Sequence, residues 1–140
     1  MPRIERSAHV VWEGNIARGS GSISGDSGAF SSLAYSNATR IGAPQGKTSP
    51  EELLAAAHGG CLTMSIAAEL SQAGTPPSRL EVTCRIVMDE VEGRGHQIVA
   101  SYVTIGGDAV PDDVLERADA GCPFSTLLKN AGVTVELSRA

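Results

Sequence analysis

Hydrophobic positions change their period several times along this chain, and each change marks an element. Near the start, "AHVVWEGN" and "GSGSISGDS" read as two short strands joined by a turn at Gly14-Asn15. The segment "SSLAYSNATRIGAPQGKTSP" has no sustained period and carries the Gly, Pro and Ser content of a long loop. It ends in a helix start: Ser49 suits the N-cap and Pro50 the first helical position. Glu51 and Glu52 complement the positive helix end, and Glu52 has the capping-box spacing from Ser49. An apolar stretch, mostly Ala, Leu, Ile and Met, then runs to about Gln72 and stops at "AGTPP". It is apolar on every face, so both sides of this helix must be covered. Two alternating segments follow, "LEVTCRIVMDEVEG" and "HQIVASYVTIGG", and the turn between them predicts an antiparallel hairpin. Leu80, Val82, Cys84, Ile86 and Met88 share one face of the first. A helix is expected over 108–120, a short helix opened by Cys122 and Pro123 next, and a final strand in "GVTVELS". The strands are not interleaved as parallel crossovers, so the class is α+β.

Composition narrows the picture. A chain of 140 residues fits one domain, 1–140, with a core large enough to need no disulfide or metal staple. A net charge of −5 and the lack of any basic run argue against a nucleic-acid partner. No signal peptide is evident in "MPRIERSAHVVWEG", and the long apolar stretch carries His58 and Glu69, which favours a core helix over a membrane span. The expected setting is cytoplasmic and reducing. There the three cysteines stay thiols unless they do redox or metal work.

Cys84 sits on the apolar strand face and reads as a small core residue. Cys61 stands inside the helix just after Gly59 and Gly60, each of which costs roughly 1 kcal/mol against Ala. A bend or a fresh helix start at these glycines would place Cys61 at a helix N-terminus, where free amides favour a thiolate. A buried small hydrophobe is the plain alternative. Cys122 precedes Pro123 and so falls at an N-cap position, as a structural cap or as a sulfur activated by amides. His58 and Cys61 could share a metal ion, but no C-x-x-C is present and a closed zinc site needs four ligands. His9 or His96 could join only through tertiary proximity, so no metal is expected. No triad motif or phosphate loop appears.

Taken together, "SPEELLAAAHGGCLTMSIAAEL" and "AGCPFSTLL" resemble the OsmC/Ohr family of thiol-dependent hydroperoxide reductases. The likeness extends to "VVWEGNIARGSGSIS" and "NATRIGAPQGKTSPEE", with features of the OsmC branch. The resemblance implies an intertwined α+β homodimer, with central long helices wrapped by antiparallel sheets and active sites at the subunit interface. It matches Cys61 to the peroxidatic cysteine, Cys122 to the resolving one, Glu51 to the family glutamate and Arg40 to the OsmC-branch arginine. Arg18 lies where the Ohr branch has its arginine. Gly59-Gly60 and Phe124 depart from the usual pattern and could alter the helix and the pocket.

That likeness implies a mechanism. Cys61 would attack a hydroperoxide and become a sulfenic acid, and Cys122 would condense with it to a reversible disulfide. An external, lipoyl-type dithiol or dithiol protein would reset the pair, with no bound cofactor. Arg40 would hold the thiolate and Glu51 would orient Arg40. His58 reads as a core or interface residue. The rival readings are a non-catalytic redox-sensing or small-molecule-binding protein on the same scaffold, and a structural dimer with inert thiols.

Overall fold

A computed structural model of the chain describes residues 2–140 and divides it into two compact units, Met1–Pro50 and Glu51–Ala140. In the first unit, β1 (Ala8–Glu13) and β2 (Ser20–Gly25) pair antiparallel as their alternation predicts. A third strand, β3 (Leu33–Tyr35), adds to β2. Gly21 faces Trp12 across one ladder and Tyr35 across the other. A Cβ there would lie 2.4 Å from the Tyr35 ring, so the missing side chain leaves room for the edge-on Trp12–Tyr35 pair.

The segment expected to be a long loop holds β3 and a short helix, α1 (Asn37–Ile41). Three strand residues are too few to display a period. The helix is defined by its cap rather than by an apolar face: the Ser36 hydroxyl accepts from the Thr39 amide and lies 2.7 Å from the Thr39 hydroxyl. Arg40 falls in the last turn of α1, where a cation suits the helix dipole.

The second unit is built on α2 (Pro50–Gln72), which spans the predicted boundaries. The helix is uninterrupted, so the break expected at Gly59-Gly60 does not occur. Gly59 serves packing instead: a Cβ on it would lie 3.1 Å from the Cys84 Cβ, so its bare backbone lets α2 lie close to the strand behind it. Buried His58, Leu62, Ile66 and Leu70 recur at helical spacing and form the core stripe. Only that side is covered in this chain, and Met64 on another face is 75% exposed. By length and mean hydropathy, 1.3, α2 could also cross a membrane, with 28% of the apolar window buried here.

Leu62, Ile66 and Leu70 of this stripe pack in one cluster with Val103, Ile105, Val110, Val114, Leu115, Ala118 and Cys122. These come from β5 (Gly95–Gly107), α3 (Asp112–Gly121) and the segments beside them. β4 (Leu80–Val91) pairs antiparallel with β5, with a bulge at Val87/Met88. The predicted shared face holds over Leu80, Val82 and Cys84, which pack against the cluster.

Two boundaries differ from expectation. Helix α3 starts at Asp112 because Asp108 is engaged elsewhere: its carboxylate accepts the Ser78 and Arg79 amides at 2.6 and 3.4 Å. The last strand, β6 (Thr134–Arg139), pairs parallel with β5. The chain therefore does make one crossover, through α3 and α4 (Pro123–Asn130). Strand order along a sequence does not reveal strand direction, and the helix pair supplies the length that a parallel return needs. The α+β description of two three-stranded sheets and one long helix stands.

Candidate active site

The crossover sets the position of Cys122. This residue ends α3, with its amide bonded to the Asp119 carbonyl, and at the same time begins α4. Its φ of −83° and ψ of 113° are extended, as expected before proline, and Pro123 occupies the first turn. The sulfur accepts from the Ser125 amide at 3.5 Å and is fully buried. The predicted N-cap role is thus met by geometry.

Cys61 lies half-buried on α2 and packs against the cluster that contains Cys122. α2 does not restart at Gly60, so Cys61 has no helix N-terminus of its own; the Phe124 backbone at the start of α4 acts on it instead. The expected drop in the Cys61 pKa is not what this environment produces. Burial pushes it up first, and the neighbouring Cys122 thiol adds to the rise, while the Phe124 amide pulls it down. The sulfur therefore needs a cationic partner to be a thiolate at neutral pH.

Three further residues brace this arrangement. His58 is completely buried. Its Nδ1 lies 2.6 Å from the Ser101 hydroxyl on β5, and its Nε2 lies 2.7 Å from the Ser125 hydroxyl on α4. Cys84 joins the group, 3.3 Å from Ser101 Oγ and 3.8 Å from His58 Nδ1. It is a half-buried core residue with polar neighbours, and it is not part of the thiol pair. The tautomer protonated at Nδ1 satisfies the whole group: Nδ1–H donates to Ser101, Ser101 donates to Cys84, and Ser125 donates to Nε2.

Burial holds the His58 pKa below the usual histidine value; Asp119 opposes this and Lys129 reinforces it. Those two charges also form an ion pair that fastens α4 to α3. Sequence reasoning placed His58 in the core but missed both serines. Ser101 carries a signal in retrospect, because it shares a strand face with buried Val103 and Ile105. Ser125 looks like an ordinary helix residue until Cys122 is seen as the cap three positions earlier.

Of the other predicted site residues, Glu51 stands in the first turn of α2, ten residues before Cys61. That is roughly 15 Å along an uninterrupted helix, so a helix break does not bring the two together. Arg40 belongs to the first unit, at the end of α1. Arg18 lies in the turn between β1 and β2, where its amide bonds to the Asn15 side chain. Among the described residues no group of three or more His, Cys, Asp or Glu is placed to hold a metal ion.

A buried strand-helix-helix scaffold that packs Cys61 against the cluster holding Cys122 defines a candidate thiol redox centre. Residues 42–138 match the family described as OsmC-like protein, and the chain belongs to that family. It is 36% identical over 139 residues to peroxiredoxin OsmC of Escherichia coli K12, covering 95% of each chain. The match to peroxiredoxin OsmC of Shigella flexneri has the same identity and coverage. Its fold is similar to that of the organic hydroperoxide resistance protein OhrB of Bacillus subtilis. There the TM-score is 0.74 at 21% identity, over 96% of this chain and 98% of that one.

A histidine held neutral by burial contributes stability that is complete above its unfolded pKa of about 6.5. The contribution is lost as pH falls below that value, because the unfolded chain takes up a proton that the folded one resists. Urea unfolding midpoints should therefore fall faster from pH 7.5 to 5.5 in the wild type than in His58→Gln. The extra slope should be at most about 1.4 kcal/mol per pH unit. Parallel curves for the two proteins would show that His58 is not held neutral.

Proposed function

We propose that this protein is a thiol-dependent peroxidase that reduces organic hydroperoxides, with hydrogen peroxide as a second candidate substrate. The observation that carries the reading is the packing of Cys61 on α2 against the core cluster that holds Cys122, the N-cap of α4. It occurs in a chain that shares 36% identity with a peroxiredoxin over nearly its full length. In this reading both units form one OsmC-like domain, and the protein acts in oxidative defence in a cytoplasmic, reducing setting.

The Cys61 thiolate attacks the distal peroxide oxygen. The O–O bond breaks, the leaving oxygen takes a proton and departs as an alcohol, and the sulfur becomes a sulfenic acid. The Cys122 sulfur then attacks that sulfenic sulfur, forming the disulfide and expelling water. Two thiol–disulfide exchanges with an external dithiol, of lipoyl type, restore both thiols and leave the reductant as its own disulfide. Single-turnover oxidation with cumene hydroperoxide should yield a Cys61–Cys122 linkage by peptide mapping. Turnover with a lipoyl dithiol should vanish in Cys61→Ser. A linkage through Cys84, or slow thiols and no peroxide consumption, would favour a ligand-binding or structural role.

Arg40 is the proposed cation for Cys61, oriented by Glu51. The raised pKa of Cys61 in its local surroundings supplies the need, and a guanidinium supplies a permanent charge with several donors. An opposite charge lowers a thiol pKa by about one to three units. Arg40→Ala should raise the pH at which Cys61 is alkylated and slow peroxide consumption sharply, with folding intact. Arg40→Lys should restore part of the rate, because an ammonium lacks the planar, paired contacts. If Arg18→Ala is the crippled variant and Arg40→Ala is near normal, the assignment passes to Arg18.

A homodimer is part of the same proposal. Its support is the apolar α2, buried along one stripe with Met64 exposed on another face. The polar His58 group buried on the same helix argues against a membrane span. Sedimentation at low micromolar concentration should show no monomer, and a stable folded monomer there would refute the dimer.

A further inference from the structure

The buried histidine does something the peroxidase reading leaves unused. Cys61 is borne by α2, and Cys122 sits at the joint between α3 and α4. Their approach therefore depends on how firmly the first turn of α4 is held against α2. One imidazole crosses that gap: His58 Nε2 and the Ser125 hydroxyl are 2.7 Å apart, and both residues are completely buried. Ser125 is also the residue whose amide caps on the Cys122 sulfur. A single residue of α4 is thus bonded to α2 through its side chain and to the Cys122 sulfur through its backbone. On the other side, Nδ1 is anchored to Ser101 of β5 at 2.6 Å, which fixes the ring plane.

We infer that His58 is a positioning residue for the resolving step: through Ser125 it holds Cys122 where it can condense with oxidised Cys61. The inference rests on the proposed roles of the two cysteines. His58 touches neither peroxide nor the reacting sulfurs in this scheme. What it governs is a competition. The sulfenic acid on Cys61 either condenses with Cys122, losing water and forming the disulfide, or meets a second hydroperoxide, which oxidises it to sulfinic acid and is reduced to an alcohol. A displaced Cys122 slows the first path and leaves the second unchanged.

Amide side chains separate positioning from simple core filling. The Gln amide reaches the place of the imidazole Nε2, and the shorter Asn amide reaches that of Nδ1. His58→Gln therefore keeps a partner for Ser125, while His58→Asn keeps one for Ser101 and drops the α4 bond. The measurement uses the full-length protein and a graded series of cumene hydroperoxide. Mass spectrometry reads the ratio of Cys61 sulfinic acid to Cys61–Cys122 disulfide, alongside the melting temperature of each variant.

Ser125→Ala and His58→Asn should raise that ratio by about fivefold, the scale of one buried hydrogen bond. His58→Gln should stay near the wild-type ratio, even if all three variants melt lower. Equal ratios in the wild type, Ser125→Ala and His58→Asn would overturn the inference. So would equal defects in His58→Gln and His58→Asn, which would mean that only the volume of the ring matters. Should either position 58 variant fail to fold, Ser125→Ala against Ser125→Thr, which retains the hydroxyl, decides the same question. A wild type that forms no sulfenic acid or disulfide at Cys61 refutes the peroxidase reading itself, and this inference with it.

Discussion

The neutral imidazole of His58 ties together three elements that lie far apart in the chain. It stands on α2, bonds Ser101 on β5, and bonds Ser125 on α4. A buried polar group is costly when unpaired and favourable when every partner is present, so the three elements must be in register together or the histidine is penalised. Aliphatic neighbours such as Leu62, Ile66 and Val103 supply most of the burial, but they tolerate small slides. The two ring nitrogens do not. Placement of α4, and with it Cys122, follows from that directional constraint.

The same arrangement explains how the two cysteines come to differ. Cys122 is fully buried and serves as a helix cap, while Cys61 is half-buried on α2 and packs against the cluster that holds Cys122. The N-terminus of α4 bonds the Cys122 sulfur and lowers the Cys61 pKa through the Phe124 backbone. Amide donors alone do not overcome the burial of Cys61, whose pKa is still raised. A guanidinium brought to the site would shift that balance, which is why the proposed chemistry calls for an arginine as well as a helix terminus.

Much of this could be read from the residues. The α2 boundaries, the β4–β5 hairpin and the Cys122 cap follow from local rules: proline placement, apolar alternation and turn composition. The family motifs singled out both thiols. Other features depended on contacts that no local rule reports. Gly59 and Gly60 suggested a break because helix propensity disfavours them, yet packing against Cys84 gives Gly59 a tertiary purpose. The α1 helix was hidden because its signal is one serine cap over five residues. The parallel pairing of β6 was hidden because direction is a property of the sheet. Ser101 and Ser125 gain meaning only when β5 and α4 meet α2.

The close approach at Gly59 also links two positions. The helix backbone at residue 59 and the side chain at residue 84 share a space in which an added methyl on the helix would lie 3.1 Å from the Cys84 Cβ. The spacing of helix and strand there is a joint allowance. An alanine at 59 requires β4 to give by a few tenths of an ångström, whatever residue 84 carries beyond its Cβ. The two positions therefore constrain each other through the spacing of helix and strand rather than through side-chain size.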